Sequence, residues 1–260
     1  MRITLIGAGN LATNIGKAML KAGHDIVQVY SRNLDNARLL AQTLGAVPTN
    51  DIDSLTADAD LYLLSVKDSA LADIAARICK GKADKVFAHT AGSVGMDIFR
   101  SLASHYGVVY PMQTFSKARE VDFGKIPVFI EYSDETAKTR ISALANTLSQ
   151  KVVELSSDHR KYLHLAAVFS CNFVNHCYHM AADIMEAHGL TFDMLLPLID
   201  ETALKVHHLH PKDAQTGPAI RYDENVINKQ LHLLDHNPLM RDIYEKMSMG
   251  IHLNTNEKKQ

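Results

Sequence analysis

Two glycines near the beginning of the chain have the spacing that a phosphate-binding loop requires. Gly7 and Gly9 follow a short apolar run, and the residues after them favour a helix. Gly7 allows a tight turn, whereas Gly9 lets a pyrophosphate approach the backbone, where helix N–H groups and the helix dipole receive its charge. Ala12 replaces the third glycine of such loops and is small enough for close helix–strand packing. The alternative is a turn that serves only packing. We predict that a dinucleotide cofactor binds to Gly7, Gly9, Asn10, Leu11 and Ala12.

The end of the predicted second strand, residues 25–30, indicates which dinucleotide binds. A site for NAD usually has a carboxylate about 20 residues after the glycines, where it binds the ribose hydroxyls. This chain has Ser31 and Arg32 there instead. A hydroxyl and a guanidinium suit a 2′-phosphate, because arginine forms paired hydrogen bonds with phosphate oxygens. We therefore predict NADP. The alternative is that Arg32 is a solvated charge and that Ser31 caps the next helix.

Two further segments follow predicted strands, at the edge where a parallel sheet places its ligands. Residues 65–68 would border the cofactor's ribose, and Asp68 or Ser69 would cap the next helix. Residues 89–93 are mostly small, so a nicotinamide ring could lie against their backbone. His89 is a candidate proton donor there, although a histidine at a strand end can also be a satisfied structural group. The further predicted cofactor-binding residues are Val66, Lys67, Asp68, Thr90, Ala91 and Gly92.

Two polar segments complete the candidate substrate site. Residues 110–116 follow the sixth strand, where Gln113 would line a substrate cleft. In the second half of the chain, the Gly217–Pro218 pair disfavours helix and predicts a defined turn. Arg221 would attract an anionic substrate group from that turn. The alternative is an interhelical loop in which Arg221 and Asp223 only fix its shape.

The elements that position these residues follow from the hydrophobic pattern. Strand and helix patterns alternate through the first half, including a helix over 97–104, and predict a parallel, doubly wound α/β sheet. No strand is predicted from Asp158 onward. A long helix begins there and ends near Gly189. The prediction is a Rossmann domain, residues 1–155, followed by an all-helical domain, residues 156–260.

The order of these motifs resembles the superfamily of pyrroline-5-carboxylate reductase and deazaflavin-dependent NADP oxidoreductase. A closer resemblance is to a Rossmann-like subfamily whose helical half is a domain of unknown function. The segments that carry it are 89–93, 110–115 and 216–223, and the resemblance extends over nearly the whole chain. It implies an NADP-type cofactor and a helical dimerisation domain, but it implies no particular substrate.

The chain departs from one pattern of its wider relatives. The β-hydroxyacid dehydrogenases carry a Lys-x-x-x-Asn pair on the first long helix of the second domain, and that lysine acts as acid and base beside the nicotinamide. Asn172 is the counterpart of the asparagine, but Val168 occupies the lysine position; if Asn175 is chosen instead, Cys171 occupies it. Alcohol oxidation by that mechanism is therefore disfavoured, whereas a protonated imine already accepts a hydride. The alternative role for Asn172 is an internal hydrogen bond within a helix bundle.

Composition excludes several classes of protein. The formal net charge of -2 and the lack of a dense Lys/Arg block argue against a nucleic-acid surface. The 3 cysteines lack metal-ligand spacing and are typical of reduced thiols, and the 14 histidines lack the pairing of zinc hydrolases, so we predict no metal site. The chain begins directly on a strand and has no apolar stretch long enough to cross a bilayer. We expect no signal peptide, no membrane contact and a cytoplasmic location.

Together these observations predict an NADP-dependent oxidoreductase of the imine or carbonyl reductase type, acting on a small molecule bound between the two domains. The alternative, favoured by the missing lysine, is a non-catalytic NADP-binding sensor or partner-binding module. The predicted long helix is apolar on more than one face, so we also predict a homodimer formed mainly by the helical half. The candidate catalytic residues are His89, Gln113, Asn172 and Arg221.

Overall fold

The computed structural model describes residues 1–82 and 84–256. The strands are β1 (Arg2–Ile6), β2 (Asp25–Tyr30), β3 (Val47–Thr49), β4 (Leu61–Leu64), β5 (Val86–His89), β6 (His105–Pro111), β7 (Val128–Tyr132) and β8 (Val152–Glu154). The helices that pack with them are α1 (Asn10–Lys21), α2 (Leu34–Leu44), α3 (Asp68–Ile78), α4 (Glu135–Leu148) and α5 (Ser157–Ala167). The chain forms two compact units, of which the first is Met1–Cys171 and the second begins at Asn172.

The first unit is built on one eight-stranded sheet with the order β3-β2-β1-β4-β5-β6-β7-β8. Its central strands are apolar on both faces, as parallel strands covered by helices must be. In β4, Leu61 and Leu63 belong to the core cluster packed under α1, α2 and α4. Tyr62 and Leu64 belong to the cluster packed under α3. Because successive side chains alternate between the faces, the two clusters lie on opposite sides of the sheet, and the predicted doubly wound fold is confirmed.

Two strands, β7 and β8, run against the predicted direction. The expectation of a parallel sheet holds for the other strand pairs, but β7 is antiparallel to β6, with Val109 opposite Ile130. A parallel neighbour would need a crossover connection of a dozen or more residues, usually a helix. The connection from β6 to β7 contains only the short 3-10 turn Phe123–Lys125 and an isolated bridge between Ser116 and Arg119. The chain therefore reverses its direction between β6 and β7.

A second difference concerns the predicted helix over 97–104. The structure has only a 3-10 turn, Met96–Phe99, in this segment. Phe99 and Ala103 are its buried apolar residues. They offer too little apolar surface to hold a longer helix against the sheet, and the chain becomes extended again at His105, where β6 begins.

The remaining structure is helical. The predicted helix from Asp158 to His188 is confirmed as three consecutive segments, namely α5, a π-helix (Val168–Phe173) and α6 (Val174–Ala187). The later helices are α7 (Leu196–Lys205), α8 (Pro211–Ala214), α9 (Pro218–Arg221), α10 (Glu224–Leu233) and α11 (Pro238–Asn256). Neither α6 nor α7 contains a buried residue. Across residues 1–82 and 84–256, the structure contains no helix both long enough and apolar enough to cross a membrane.

Candidate functional site

The first glycine of the loop is required by the protein itself. Gly7 follows β1 and adopts φ +124, in the left-handed region that favours glycine. Its backbone N–H donates to the Tyr30 carbonyl at 2.8 Å, which joins the loop to the end of β2. A Cβ at this position would lie 2.0 Å from the Ser65 carbonyl oxygen at the end of β4. Gly7 is therefore fixed by close packing between neighbouring strand ends.

Among the described residues, no contact requires glycine at the second position of the loop. Gly9 has φ -81, and a Cβ placed on it would meet no atom within 4 Å among the described residues. Gly9 is also the N-cap residue of α1, where no side chain accepts a hydrogen bond from the first turn. The N–H groups of that turn and the positive end of the helix dipole are thus available to an anion. This open space at a helix N-terminus fits a pyrophosphate.

A cavity of about 650 Å³ lies over this loop in the first unit. The predicted cofactor-binding residues that line it are Gly7, Gly9, Asn10, Leu11, Ser31, Arg32, Val66, Lys67, Asp68, Thr90, Ala91 and Gly92. Ala12 is wholly buried in the core and does not line the cavity, which agrees with its expected part in helix–strand packing. The sequence therefore identified the segments that meet at this cavity, and their binding of a cofactor stays a prediction.

At the β2 end of the cavity, Arg32 is exposed and no carboxylate of residues 1–82 and 84–256 forms a salt bridge with it. The alternative in which Ser31 caps the following helix does not hold. Asn33 is the N-cap of α2, and its side chain accepts a hydrogen bond from the Asn36 N–H at 3.1 Å. The Ser31 hydroxyl and the Arg32 guanidinium therefore both remain available to a phosphate.

At the β4 end, the predicted helix cap is also different. Lys67 is the N-cap residue of α3 and makes no side-chain capping bond. Asp68 is the first residue of the helix, and its carboxylate accepts a short hydrogen bond from the Ser93 hydroxyl. This bond joins the beginning of α3 to the loop after β5, so the two segments that border the middle of the cavity are held together.

His89, a candidate proton donor, does not line this cavity. Its side chain is 0% exposed. The Ala91 N–H donates to Nδ1 at 3.1 Å, and Nε2 lies 3.3 Å from the Gly95 carbonyl, so the ring nitrogens are occupied by the loop that follows β5. Burial, with a smaller contribution from the charge of Arg160, lowers the pKa of His89 to about 4. The geometry assigns this neutral ring a role in shaping the 91–95 loop.

The other candidate catalytic residues lie elsewhere. Gln113 is exposed and lines a separate cavity of about 510 Å³, where its Oε1 accepts from the Thr114 N–H at 2.8 Å. Asn172 is exposed in the π-helix, at the start of the second unit. Arg221 is exposed at the end of α9. The nearby Asp223 is the N-cap of α10 and accepts from the Val226 N–H at 3.3 Å. Their catalytic roles stay predictions.

Sequence reasoning did not identify two polar side chains at the β6 end of the cavity. Tyr110 in β6 and His164 in α5 both line it, and the Tyr110 hydroxyl lies 3.1 Å from His164 Nδ1. Tyr110 was noted only as part of the segment after the sixth strand. His164 is 54 positions away in the chain, and no local motif indicates their contact. Lys117, from the loop after β6, also lines the cavity.

A metal centre finds no support among the side chains that the structure describes. In that part of the chain, no three His, Cys, Asp or Glu residues are grouped so that they could hold a metal ion. The cysteines are all free thiols, with Cys79 buried and the other two partly exposed.

Comparison with protein families places the two halves of the chain separately. Residues 2–91 match the family described as coenzyme F420-dependent NADP oxidoreductase. Residues 126–251 match a domain of unknown function, DUF2520. Comparison with curated proteins gives no match. The two family matches confirm the resemblance stated from the motifs.

Solved structures extend this similarity over the whole chain. A candidate NADP oxidoreductase from Bacteroides fragilis is 53% identical, with 96% of this chain and 97% of that chain covered and a TM-score of 0.93. An imine reductase from Myxococcus stipitatus in complex with NADP+ is 16% identical, with coverage of 99% and 95% and a TM-score of 0.73. A pyrroline-5-carboxylate reductase from Coxiella burnetii is 18% identical, with coverage of 98% and 97% and a TM-score of 0.60. The last two show a shared fold.

Proposed function

The chain belongs to the family of NADP oxidoreductases in which an N-terminal dinucleotide-binding domain precedes DUF2520, and on that premise we propose that it transfers a hydride between NADP(H) and a small molecule. The observation that carries the proposal is the cavity over the glycine loop. One wall combines an uncapped helix N-terminus with a glycine that no protein contact requires. When bound, NADPH supplies the hydride; the protein supplies binding, orientation and a proton.

The residues at the β2 end support NADP as the cofactor. Arg32 and Ser31 lie where an NAD site would carry a carboxylate, and within the described residues no acidic side chain neutralises Arg32. A guanidinium on a 2′-phosphate forms charge-assisted hydrogen bonds. The pyrophosphate would bind at Gly9 and the first turn of α1, and the nicotinamide end would reach the Thr90–Gly92 segment.

The substrate would be a small molecule with a C=N or C=O bond. Neither Val168 nor Cys171 supplies the lysine that β-hydroxyacid dehydrogenases use for alcohol chemistry, which favours an imine. A relative of the same fold is an imine reductase, and another is a pyrroline-5-carboxylate reductase. The cavity's polar side chains at the β6 end support this assignment, because the product nitrogen or oxygen must be protonated.

We also propose that two copies of the chain associate through the helical part. In the single chain, α6 and α7 have no buried residue. Large apolar side chains are exposed in and near these helices, including Phe169 of the π-helix at 62%, Met194 just before α7 at 63% and Leu198 of α7 at 64%. Large exposed apolar surface is typical of an interface. A second copy is the occupant that presents the same apolar face, as symmetric dimers do.

Two measurements test the oxidoreductase assignment. Fluorescence titration with NADPH and NADH should show tighter binding of NADPH, and NADPH oxidation should be observed with at least one member of a panel of imines, ketoacids and aldehydes. Binding of NADPH without turnover of any panel member would favour the sensor or partner-binding function instead. Equal affinity for the two cofactors would contradict the assignment to NADP.

A further inference from the structure

Tyr110 and His164 both line the cavity of about 650 Å³ over the glycine loop, here called the glycine-loop cavity, and their side chains are hydrogen-bonded to each other. Among residues 1–82 and 84–256, no other two titratable side chains that line this cavity form a direct hydrogen bond. The hydroxyl–Nδ1 distance of the pair is 3.1 Å, and the two rings meet edge to face with centroids 6.0 Å apart. Tyr110 is 8% exposed and lines the cavity. His164 is partly exposed. The pair is therefore both oriented and accessible.

A buried ion pair one helical turn earlier holds His164 in this position. Arg160, which is 1% exposed, donates from Nη1 to Glu131 in β7 at 2.7 Å. Its Nη2 donates to the Val94 carbonyl at 2.6 Å. These bonds fix α5 against both the sheet and the loop after β5. Residues four apart lie on the same helix face, so Arg160 also fixes the direction in which His164 points.

The backbone of the loop after β5 also helps to position the His164 ring. Gly92 packs directly against the His164 ring, since a Cβ on Gly92 would lie 2.5 Å from Nδ1. The Nδ1 edge of the histidine is therefore in contact with both Gly92 and Tyr110. Gly92 is also the last residue of the segment expected to receive the nicotinamide, so the pair adjoins the place where hydride transfer would occur.

The strand order places this pair at the far end of the cavity from Arg32. Arg32 follows β2, whereas Tyr110 is in β6, and three strands (β1, β4 and β5) lie between them. At about 4.8 Å for each strand spacing, the separation across the sheet is roughly 19 Å. A dinucleotide bound with its 2′-phosphate at Arg32 and its pyrophosphate at Gly9 would extend in the direction of Tyr110. The pair thus lies at the reactive end of the proposed site.

We propose that Tyr110 is the catalytic proton donor to the nitrogen or oxygen of the substrate's double bond, and that His164 is the positioning residue that returns a proton to it. This inference rests on the proposed function. During reduction the substrate carbon accepts the hydride that NADPH supplies, and the π electron pair moves to the heteroatom. The Tyr110 O–H bond breaks as a new N–H or O–H bond forms. His164 then gives its Nδ1 proton to the phenolate while its Nε2 takes one from water.

The electrostatic surroundings suit a donor. Burial raises the pKa of Tyr110, and Asp68 acts in the same direction, although the charge of Arg160 opposes them. The hydroxyl consequently stays protonated at neutral pH and can only release its proton to a strong base, such as the anion formed at the heteroatom. His89, by contrast, has its ring nitrogens occupied by backbone groups. Tyr110 therefore replaces it as the acid in this assignment.

Steady-state kinetics with Tyr110→Phe provides the first test. Because the phenylalanine keeps the ring but lacks the proton, kcat should fall by about 10²–10⁴-fold while the affinity for NADPH stays within about twofold. Tyr106→Phe is the matched control on the same strand, since Tyr106 packs against Phe99 and does not line the cavity. It should turn over like the unmodified enzyme. Unchanged kcat in Tyr110→Phe would overturn the proposal.

The role of His164 needs a readout that a merely structural residue would not change. His164→Asn keeps a side chain that can hydrogen-bond to the tyrosine but cannot relay a proton to it. We expect a lower kcat together with a larger solvent deuterium isotope effect on kcat, because reprotonation becomes slow. A lower kcat with an unchanged isotope effect would assign His164 a structural role and overturn the relay.

A spectroscopic measurement separates failure of this inference from failure of the proposed function. With NADP+ bound, addition of a saturated secondary amine, the product class of imine reduction, should shift the ring ¹⁵N resonances of His164, and Tyr110→Phe should abolish the shift. An unmodified protein that binds NADP+ but shows no shift refutes the proton relay, whether or not it turns over a panel substrate. An unmodified protein that binds neither NADPH nor NADP+ refutes both proposals.

Discussion

Gly92 and the ring of His164 are in such close contact that a methyl group on Gly92 would lie 2.5 Å from Nδ1 and 2.7 Å from Cγ. The atoms concerned are the near side of the ring, which cannot move away without rotating the whole side chain. The position at the end of the β5 loop therefore accepts only glycine as long as His164 keeps its hydrogen bond with Tyr110.

We accordingly expect Gly92→Ala to displace His164. Overpacking of this kind costs about 1–3 kcal/mol, which chemical denaturation would detect. Turnover should fall by about tenfold or more, as the tyrosine loses its partner. Gly95→Ala is a matched control, since a Cβ there would lie 3.7 Å from the Ser157 hydroxyl, an ordinary contact. If Gly92→Ala matched Gly95→Ala in both measurements, the close packing would have no functional consequence.

Arg32→Asp should reverse the cofactor preference. Loss of a charge-assisted hydrogen bond costs on the order of 1.5–3 kcal/mol, or about 10–150-fold in the dissociation constant for NADPH, and repulsion adds to it. NADH, which lacks the 2′-phosphate, should bind no more weakly than before. Arg38→Asp, in the exposed part of α2, should leave both affinities unchanged. Fluorescence titration measures all of these constants, and equal weakening for both cofactors would contradict a phosphate contact.

Arg160→Met should destabilise the first unit strongly. The guanidinium is 1% exposed and its partner Glu131 is 14% exposed, so removal of the arginine leaves a carboxylate nearly buried without a counterion. Such a change costs about 3–5 kcal/mol in the free energy of unfolding. Arg100→Ala breaks the exposed pair with Asp97 instead and should cost about 0–1 kcal/mol.

Denaturant titration compares the two arginine variants. Addition of Glu131→Leu to Arg160→Met should restore part of the lost stability, since the uncompensated charge is then removed. If Arg160→Met and Arg100→Ala unfolded at the same denaturant concentration, the buried ion pair would contribute no more to stability than an exposed one.

The burial of His89 makes folding sensitive to mild acid. Its pKa is lowered to about 4 in the folded protein from 6.5, so the unfolded state binds a proton first as the pH falls. Stability is therefore complete above about pH 6.5 and declines as the pH falls toward 4, by on the order of 3 kcal/mol from this group. His24, whose pKa is also lowered by burial, acts in the same direction.

His89→Asn should flatten this dependence between pH 7 and pH 5, measured as the free energy of unfolding at each pH. Asp134 does not interfere, because its pKa is held at about 2 and its contribution is lost only at still lower pH. Equal slopes for the variant and the unmodified protein would show that His89 is not the group that titrates.

Leu198→Glu should separate the two copies of the proposed homodimer. Leu198 is 64% exposed in the single chain, within a helix that has no buried residue. A carboxylate at an apolar interface would be desolvated without a partner, which strongly disfavours association. Leu39→Glu is the control, since Leu39 is 66% exposed on α2 in the other unit. Light scattering should give a monomer for Leu198→Glu and a dimer for Leu39→Glu and the unmodified chain.

Local patterns predicted much of the first unit. The bounds of β2 in the structure are those that the sequence pattern predicted. The direction of β7 could not be predicted from its residues. It depends on whether the preceding connection crosses the sheet, and the sequence of β7 itself carries no information about that connection. The helix expected over 97–104 failed for a similar reason. Its apolar residues satisfied a helical pattern, but few of them find a surface to pack against.

The same distinction between local pattern and tertiary contact applies to the candidate site. The glycine loop, Ser31, Arg32 and the ends of β4 and β5 are local motifs, and the structure brings them to one cavity. The contact of Tyr110 with His164 joins residues 54 positions apart, and it depends on the packing of α5, which Arg160 holds against β7. The burial of His89 likewise depends on tertiary packing, which the type of residue at a strand end does not reveal.

Gly7 and Gly9, two residues apart, are constrained by different things. Substitution of Gly7 would force Ser65 to move, so the fold itself requires glycine at that position. Gly9 has open space where its side chain would be, and an alanine there would leave the fold intact. In a homologue that no longer binds the dinucleotide, position 9 would therefore tolerate substitution, whereas position 7 would still require glycine. Homologues with an alanine or serine at position 9 but glycine at position 7 would be the ones in which to look for a lost enzyme.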